Sequence, residues 1–115
     1  MNIGIDIIEV ARIEKSIKNP AFVKRVYSPE EAELISKKKN AQTAAGRFCV
    51  KEAFSKALGT GIRDFQMNEV STLNDDLGRP YIVVSGNAEK LLDGRETSVS
   101  ISHTAEYAVA VVTIT

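Results

Sequence analysis

Apolar and polar residues alternate at the start of the chain and then follow a helical period. Over residues 2–8, three isoleucines at alternate positions share one face while Gly4 and Asp6 lie on the other, which is typical of a short strand. Over residues 9–18 the apolar positions follow the helical repeat, so a helix is predicted there. Asn19-Pro20 ends this helix, because proline cannot continue it.

Three more helices are predicted before residue 60, over about residues 21–27, 29–38 and 41–58. The second of these has a strong start signal, because Ser28 can cap it, Pro29 suits its first turn and Glu31 completes a capping box. The third is apolar around nearly its whole circumference, so we expect a central helix that is packed on most sides. Gly59 is its expected C-terminal stop.

The second half of the chain changes character. Strands are predicted over about residues 68–73, 81–85, 97–102 and 107–114, with one short helix over residues 87–92. The segment from Asn74 to Pro80 is rich in Asp, Gly and Pro, which is turn chemistry. Because helices crowd the first half and strands the second, the pattern predicts a single α+β domain over residues 1–115 rather than a repeating βαβ fold.

Composition excludes some classes of partner. The chain carries 15 basic and 15 acidic side chains, and a net charge of zero argues against nucleic acid as the main partner. The only cysteine, Cys49, lies in the central helix, so no intrachain disulfide can form, which favours a cytoplasmic protein. The N-terminus lacks the basic segment of a signal peptide and no apolar run could span a bilayer, so we expect no membrane partner.

Four charges in the central helix are the best guide to function. Arg47 and Lys51 stack with the same sign one turn apart, which weakens a helix unless an anion lies between them. Glu52 and Lys56, also one turn apart, form a second charged stripe on a different face of the helix from Arg47 and Lys51. Two such stripes suggest a site for phosphate and a cation. Two simpler interpretations stay open: Glu52 and Lys56 form an ordinary surface ion pair, and Lys51 neutralises a local carboxylate.

Three sequence islands carry a resemblance to a known family. They are Gly4-Ile5-Asp6 with Arg12 downstream, the run Phe48-Cys49-Val50-Lys51-Glu52-Ala53-Phe54-Ser55-Lys56, and Ser100-Ile101-Ser102-His103-Thr104. In order, spacing and total length the chain resembles the 4′-phosphopantetheinyl transferase superfamily and, within it, the short stand-alone holo-[acyl-carrier-protein] synthases. The resemblance covers essentially the whole chain.

The resemblance implies a fold, a reaction and an assembly. The implied fold packs helices on an antiparallel-rich sheet. The implied reaction is the Mg²⁺-dependent transfer of the 4′-phosphopantetheine group of coenzyme A to a serine of apo acyl carrier protein, releasing adenosine 3′,5′-bisphosphate, in fatty acid biosynthesis. The implied assembly is a homotrimer with active sites between subunits.

The resemblance also implies roles for individual residues. Asp6 and Glu52 correspond to the carboxylates that hold Mg²⁺, and Glu52 and Lys56 to the catalytic residues, with Glu52 the best candidate base for the serine. Contacts to coenzyme A are expected from Arg47, Lys56, Gly59, His103 and Thr104. The acidic carrier protein is expected to meet basic residues of the first helical segments, namely Arg12, Lys15, Lys24 and Arg25.

Alternatives remain for both the residues and the function. Asp6 with Glu9 is also a capping pattern, so the aspartate could cap the first helix, and Gly59 could be only a helix stop. A metal-dependent phosphohydrolase acting on coenzyme A or nucleotides would use the same charges, with water as the nucleophile. A non-catalytic α+β interaction subunit would need none of them.

Overall fold

The computed structural model describes residues 1–115, and its elements follow the predicted α+β pattern closely. They are β1 (Asn2–Glu9), α1 (Val10–Ser16), α2 (Pro20–Val26), α3 (Pro29–Lys38), α4 (Ala41–Leu58), a 3₁₀ turn (Met67–Glu69), β2 (Val70–Asn74), β3 (Pro80–Val84), α5 (Gly86–Leu92), β4 (Thr97–His103) and β5 (Tyr107–Ile114). The predicted α+β class is therefore confirmed. No helix combines the length and the apolar character needed to cross a membrane.

Two antiparallel sheets organise the strands. The larger has the order β1-β5-β4, with β5 in the centre, and β2 and β3 form a separate hairpin. In the register of the larger sheet, Asp6 of β1 lies opposite Ala110 of β5, and Ala110 lies opposite Ile101 of β4. β1 and β4 are therefore the two edge strands of the sheet, and β5 lies between them.

The central helix α4 lies across the inner face of this sheet. Most of its residues are buried, as its apolar circumference predicts. At Gly4 of β1 the two backbones approach so closely that a Cβ atom would lie 2.0 Å from the carbonyl oxygen of Ala53 and 2.7 Å from the amide nitrogen of Ala57. Only glycine permits this approach, and the approach brings β1 against the C-terminal half of α4.

A buried ion pair ties α4 to α3 and β2. The Ser28 capping box forms as predicted, and its glutamate, Glu31, is fully buried. The Glu31 carboxylate accepts hydrogen bonds from Lys51 Nζ at 2.6 Å and from the Thr72 amide at 2.9 Å. Lys51 also donates to the carbonyl oxygens of Met67 and Val70. Lys51 therefore neutralises a local carboxylate and does not face an anion site, which settles the alternative left open above.

One predicted strand begins two residues late. Strand β2 starts at Val70 rather than residue 68, because Met67–Glu69 form a 3₁₀ turn. The Glu69 carboxylate accepts a hydrogen bond from the Gln66 amide at 3.0 Å, and it also accepts weaker ones from the Asn87 and Ala88 amides at the start of α5. The contacts to Asn87 and Ala88 favour a 3₁₀ turn at residues 67–69 over an extended strand there.

The outer face of the larger sheet is apolar and uncovered. On β1, Ile3, Ile5 and Ile7 are 66%, 58% and 63% exposed, and Tyr107 at the start of β5 is 46% exposed. Such a contiguous apolar surface is unusual for a monomer and typical of a protein interface. The alternation of β1 was predicted, but the isoleucine face is the one left open to solvent.

Candidate active site

Strand β1 and helix α4 bring Asp6 and Lys56 into contact. Lys56 Nζ lies 3.3 Å from Asp6 Oδ1 and donates a 2.9 Å hydrogen bond to the carbonyl oxygen of Ile5. The Asp6 side chain is 18% exposed and that of Lys56 is 54% exposed. The pair therefore lies at the mouth of the β1–α4 contact, where a ligand can reach it.

Glu52 belongs to the same cluster. Burial raises its pKa above the usual range, and the negative charge of Asp6 raises it further, while the positive charges of Lys56 and Arg12 oppose both effects. The two carboxylates are thus close enough to repel each other. Asp6 and Glu52, which are 46 positions apart in the sequence, are brought together by the fold.

Two alternative interpretations of these residues are wrong. Asp6 does not cap α1, because it lies within β1, and Glu9 at the N-cap position makes no side-chain hydrogen bond. Lys56 does not form the expected helix ion pair with Glu52. Its carboxylate partner is Asp6, and the other ion pairs of the structure are Lys51–Glu31 and Lys37–Glu33.

The donor set of this cluster fits a hard divalent cation. Mg²⁺ takes oxygen ligands and typically uses one or two carboxylates together with substrate phosphate and water. Asp6 and Glu52 supply the two carboxylates. No group of three or more His, Cys, Asp or Glu side chains is arranged to hold a metal.

Cys49 lies behind the acidic cluster and is fully buried. Its Sγ donates to the carbonyl oxygen of Ala108 at 3.4 Å. Burial raises the pKa of the thiol to about 12, and the negative charge of Asp6 adds to this effect. The thiol is therefore protonated at neutral pH and is not a nucleophile.

A second polar region lies at the N-terminal half of α4. There a cavity of about 370 Å³ opens between α4, the β2–β3 turn and the end of β4. Among the residues that line it are Arg47 of α4, Asn74 at the end of β2, Gly78 of the turn and His103 of β4. The structure thus places two of the expected coenzyme A contacts, Arg47 and His103, in one cavity.

The Arg47 side chain is buried but has no carboxylate partner. Only 7% of the residue is exposed, and its Nη2 donates to Oδ1 of Asn74. Its Nε is buried without a hydrogen-bond partner. Burial lowers the pKa of the guanidinium, and the negative charge of Glu31 opposes this. A buried cation in this state can bind an anion.

The other expected coenzyme A contacts lie at exposed turns. Gln42 Nε2 donates to the carbonyl oxygen of Thr104 at 2.9 Å, which fixes the turn after His103 against α4. The Thr104 hydroxyl accepts hydrogen bonds from the amides of Glu106 and Tyr107. Gly59 ends α4 with φ of 82°, so it is the predicted helix stop, and the space beside it is open.

The basic residues expected to meet a carrier protein are all exposed on α1 and α2. They are Arg12, Lys15, Lys24 and Arg25. Arg12 is also close enough to lower the pKa of Glu52, so it stands beside the acidic cluster. Arg25 lies 5.7 Å over the ring of Phe22, which holds its guanidinium on the surface of α2.

Sequence reasoning missed two residues that shape the cavity, Asn74 and Gln42. Asn74 falls in a run of turn residues and Gln42 in the first turn of a long helix, so neither has a local pattern that marks it. Their partners, Arg47 and the Thr104 carbonyl, are 27 and 62 positions away in the chain. Only the fold brings them together.

Comparison with known proteins was consistent across sequence and structure. The holo-[acyl-carrier-protein] synthase of Fusobacterium nucleatum is 45% identical, over 99% of this chain and 98% of the relative. The crystal structure of the Helicobacter pylori holo-[acyl-carrier-protein] synthase in complex with coenzyme A superposes with a TM-score of 0.87 at 37% identity, covering 98% of this chain and 99% of that one. The Neisseria meningitidis enzyme superposes with a TM-score of 0.90 at 33% identity, covering 99% and 97%.

The family model for the 4′-phosphopantetheinyl transferase superfamily matches residues 2–112. This match spans the acidic cluster, the cavity and all of the strands except the last two residues of β5. The chain therefore belongs to the 4′-phosphopantetheinyl transferase superfamily.

Proposed function

We propose that this protein is a holo-[acyl-carrier-protein] synthase whose residues 1–115 act as one transferase domain. It transfers the 4′-phosphopantetheine group of coenzyme A to a serine of apo acyl carrier protein, and it serves fatty acid biosynthesis in the cytoplasm. The observation that carries this proposal is the convergence of Asp6, Glu52 and Lys56 at one exposed point. The relatives named above, one of them with coenzyme A bound, support the choice of substrate.

The chemistry asked of the site is phosphoryl transfer. The serine oxygen attacks the β-phosphorus of coenzyme A, the bond from that phosphorus to the departing adenosine bisphosphate breaks, and the serine proton moves to a base. Glu52 is the proposed base, since its carboxylate lies in the same cluster as Lys56 and can accept the serine proton. Lys56 stabilises the charge that builds on the phosphoryl oxygens.

Asp6 and Glu52 would together hold Mg²⁺. When bound, this ion neutralises negative charge on the pyrophosphate of coenzyme A. Lys56 keeps its contact with Asp6 and so positions that carboxylate before the ion arrives. The mutual repulsion of the two acids is the electrostatic reason for a cation to bind here.

Arg47, His103, Thr104 and Gly59 are the proposed further contacts to coenzyme A. Arg47 and Lys56 are nine positions apart on α4, so they point about 180° apart around the helix axis and are about 13 Å apart along it. The acidic cluster and the cavity therefore face away from each other within one subunit.

This opposition supports a homotrimer with its active sites between subunits. If one coenzyme A molecule contacts both regions, the acidic cluster must come from one copy of the chain and the cavity from a neighbouring copy. The uncovered apolar face of β1 and β5 supplies a surface on which copies can pack. Ring closure by a three-fold axis would use the same contact three times.

The basic residues of α1 and α2 are the proposed docking surface for the carrier protein, which is acidic in this partnership. Replacing Arg12 with glutamate is expected to raise the Michaelis constant for carrier protein about tenfold, because it reverses a charge that steers the encounter. The Lys37→Glu variant, which is exposed on α3, is the matched control and should leave that constant within about twofold. An unchanged constant in Arg12→Glu would exclude this docking surface.

The proposed function is tested by intact-mass analysis of apo carrier protein incubated with coenzyme A, Mg²⁺ and this protein. A gain of one phosphopantetheine group is expected, with loss of activity in a chelator and in the Glu52→Ala and Lys56→Met variants. A phosphohydrolase would instead cleave coenzyme A with no carrier protein present. An interaction subunit would do neither, and either result would overturn the proposal.

A further inference from the structure

We propose that Asn74 is a positioning residue for coenzyme A, because its neutral amide holds the Arg47 guanidinium in the cavity without cancelling its charge. This inference rests on the proposed function. It assigns a role to the last side chain of β2, which makes no contact with the acidic cluster, and it predicts that a carboxylate at position 74 would be harmful.

The Asn74 amide connects the β2–β3 turn to Arg47 through two hydrogen bonds. Its Oδ1 accepts from Arg47 Nη2, and its Nδ2 donates to the carbonyl oxygen of Gly78 at 2.9 Å. The turn is itself rigid, since Asp75 Oδ1 accepts from the amides of Leu77 and Arg79, each at 2.9 Å. Both polar ends of the Asn74 amide are therefore used, and its orientation is fixed by the network.

The charge of Arg47 is free for a ligand. None of the three ion pairs in the structure includes Arg47. The carboxylate that raises the pKa of Arg47 is that of Glu31, whose two oxygens already accept from Lys51, the Ser28 amide and the Thr72 amide. A buried guanidinium without a carboxylate partner is costly in the free protein, and a bound phosphate removes that cost.

Aspartate at position 74 would change this balance with almost no change in size. It keeps an acceptor for Arg47, but it turns a neutral hydrogen bond into a contact ion pair that competes with the phosphate. Alanine removes the acceptor and leaves the charge of Arg47 intact. If Asn74 only supported the turn, both changes would act through the lost hydrogen bond to the Gly78 carbonyl oxygen, and neither would selectively raise the Michaelis constant for coenzyme A. If Asn74 keeps Arg47 available, Asp is the more harmful.

The experiment compares Asn74→Asp and Asn74→Ala in the transfer assay, with apo carrier protein held saturating. Asn74→Asp is expected to raise the Michaelis constant for coenzyme A about tenfold and Asn74→Ala about threefold, with kcat within about twofold of wild type in both. Thermal melting checks that both variants fold. The control Asn87→Asp adds the same charge at α5, outside the cavity, and should change neither constant.

A second measurement separates pairing with Arg47 from general repulsion of an anion. In an Arg47→Gln background the effect of Asn74→Asp should shrink to about twofold, because there is no longer a guanidinium to neutralise. An undiminished effect, or an Asp variant milder than Ala, would overturn the inference. If wild-type protein transfers no phosphopantetheine, the proposed function itself fails, and this result is distinct from normal transfer with unchanged constants.

Discussion

At the scale of single residues, the acidic cluster does not favour the stability of the fold. Glu52 is partly buried and faces the negative charge of Asp6, and the one nearby lysine pairs with Asp6 instead. A group with a raised pKa in the folded protein weakens the fold when it is ionised. A bound cation would reverse this, so we interpret the strain as part of the site.

This interpretation predicts how stability depends on pH. Because the pKa of Glu52 is raised on folding, ionisation costs stability as pH rises from the usual glutamate range, near about 4.3, through the raised value. In chelator at neutral pH, Glu52→Gln should therefore melt at a higher temperature than wild type. This difference in melting temperature should vanish at about pH 4, where the Glu52 carboxyl of the folded wild type is protonated and is uncharged like the glutamine that replaces it. A wild type that melts higher at neutral pH would contradict the account.

Individual site residues were predictable from the sequence only where residue type and spacing agree. The convergence of Asp6, Glu52 and Lys56 could be predicted because their motifs are distinctive. Helix position and sign of charge do not separate Arg47 from Lys51, and only the family resemblance favoured Arg47 as the contact to coenzyme A. The tertiary structure separates them. The buried carboxylate of Glu31, 20 positions from Lys51 in the chain, pairs with Lys51 and not with Arg47.

At the scale of elements, the close contact of β1 with α4 builds the acidic cluster. Gly4 lets the strand lie directly on the helix, and Asp6 two residues later points to the same face. Helix limits were predictable because caps are local: Ser28 and Gly59 act where expected. The start of β2 was not, because the side chain of Glu69 bonds to residues that are remote in sequence.

Replacing Gly4 with alanine should therefore cost both stability and activity. The added Cβ would lie 2.0 Å from a backbone oxygen, so the strand must move away from α4. We expect a loss of at least about 3 kcal/mol in the free energy of unfolding, measured in urea, and a fall in transfer rate as Asp6 leaves Glu52.

Gly46→Ala is the matched control in α4. Its Cβ would meet only the side-chain methyl Cγ2 of Ile101, at 3.1 Å, and this methyl can shift. We expect a change in unfolding free energy within about 1 kcal/mol, since alanine also favours the helix. An equal loss of unfolding free energy in Gly4→Ala and Gly46→Ala would show that the close β1–α4 contact does not stabilise the fold more than the contact at Gly46 does.

At the scale of the whole molecule, the acidic cluster and the cavity lined by Arg47 face in opposite directions, and in the proposed trimer they are the two half-sites of each active site. The apolar outer face of the sheet and the opposed positions of Arg47 and Lys56 both follow from the strand order and the helical repeat. The sequence pattern alone could not predict which face of β1 is exposed, because isoleucine suits a core and an interface equally.

Shared sites predict that two defective variants complement each other. Glu52→Ala lacks the acidic half-site and Arg47→Gln lacks the cavity half-site, so each should be nearly inactive at limiting coenzyme A. After equal amounts of the two are unfolded together and refolded, about one quarter of all contacts between subunits should combine two intact halves, since each half is intact in half of the subunits. Transfer activity should then return in proportion.

Adding Ile3→Lys to both variants provides the control. A charge on the exposed isoleucine face should prevent assembly, which sedimentation measures directly, and it should abolish the recovered activity. Complementation that survives in monomers, or no complementation in intact trimers, would contradict shared active sites.

The most direct test of the central claim is a crystal structure with coenzyme A and Mn²⁺, which binds the same oxygen ligands as Mg²⁺ and scatters anomalously. The account predicts one anomalous peak per active site, held by a carboxylate oxygen of Asp6 and one of Glu52 and by the pyrophosphate of coenzyme A. A peak held by other side chains, or coenzyme A bound with no metal between the two acids, would contradict it.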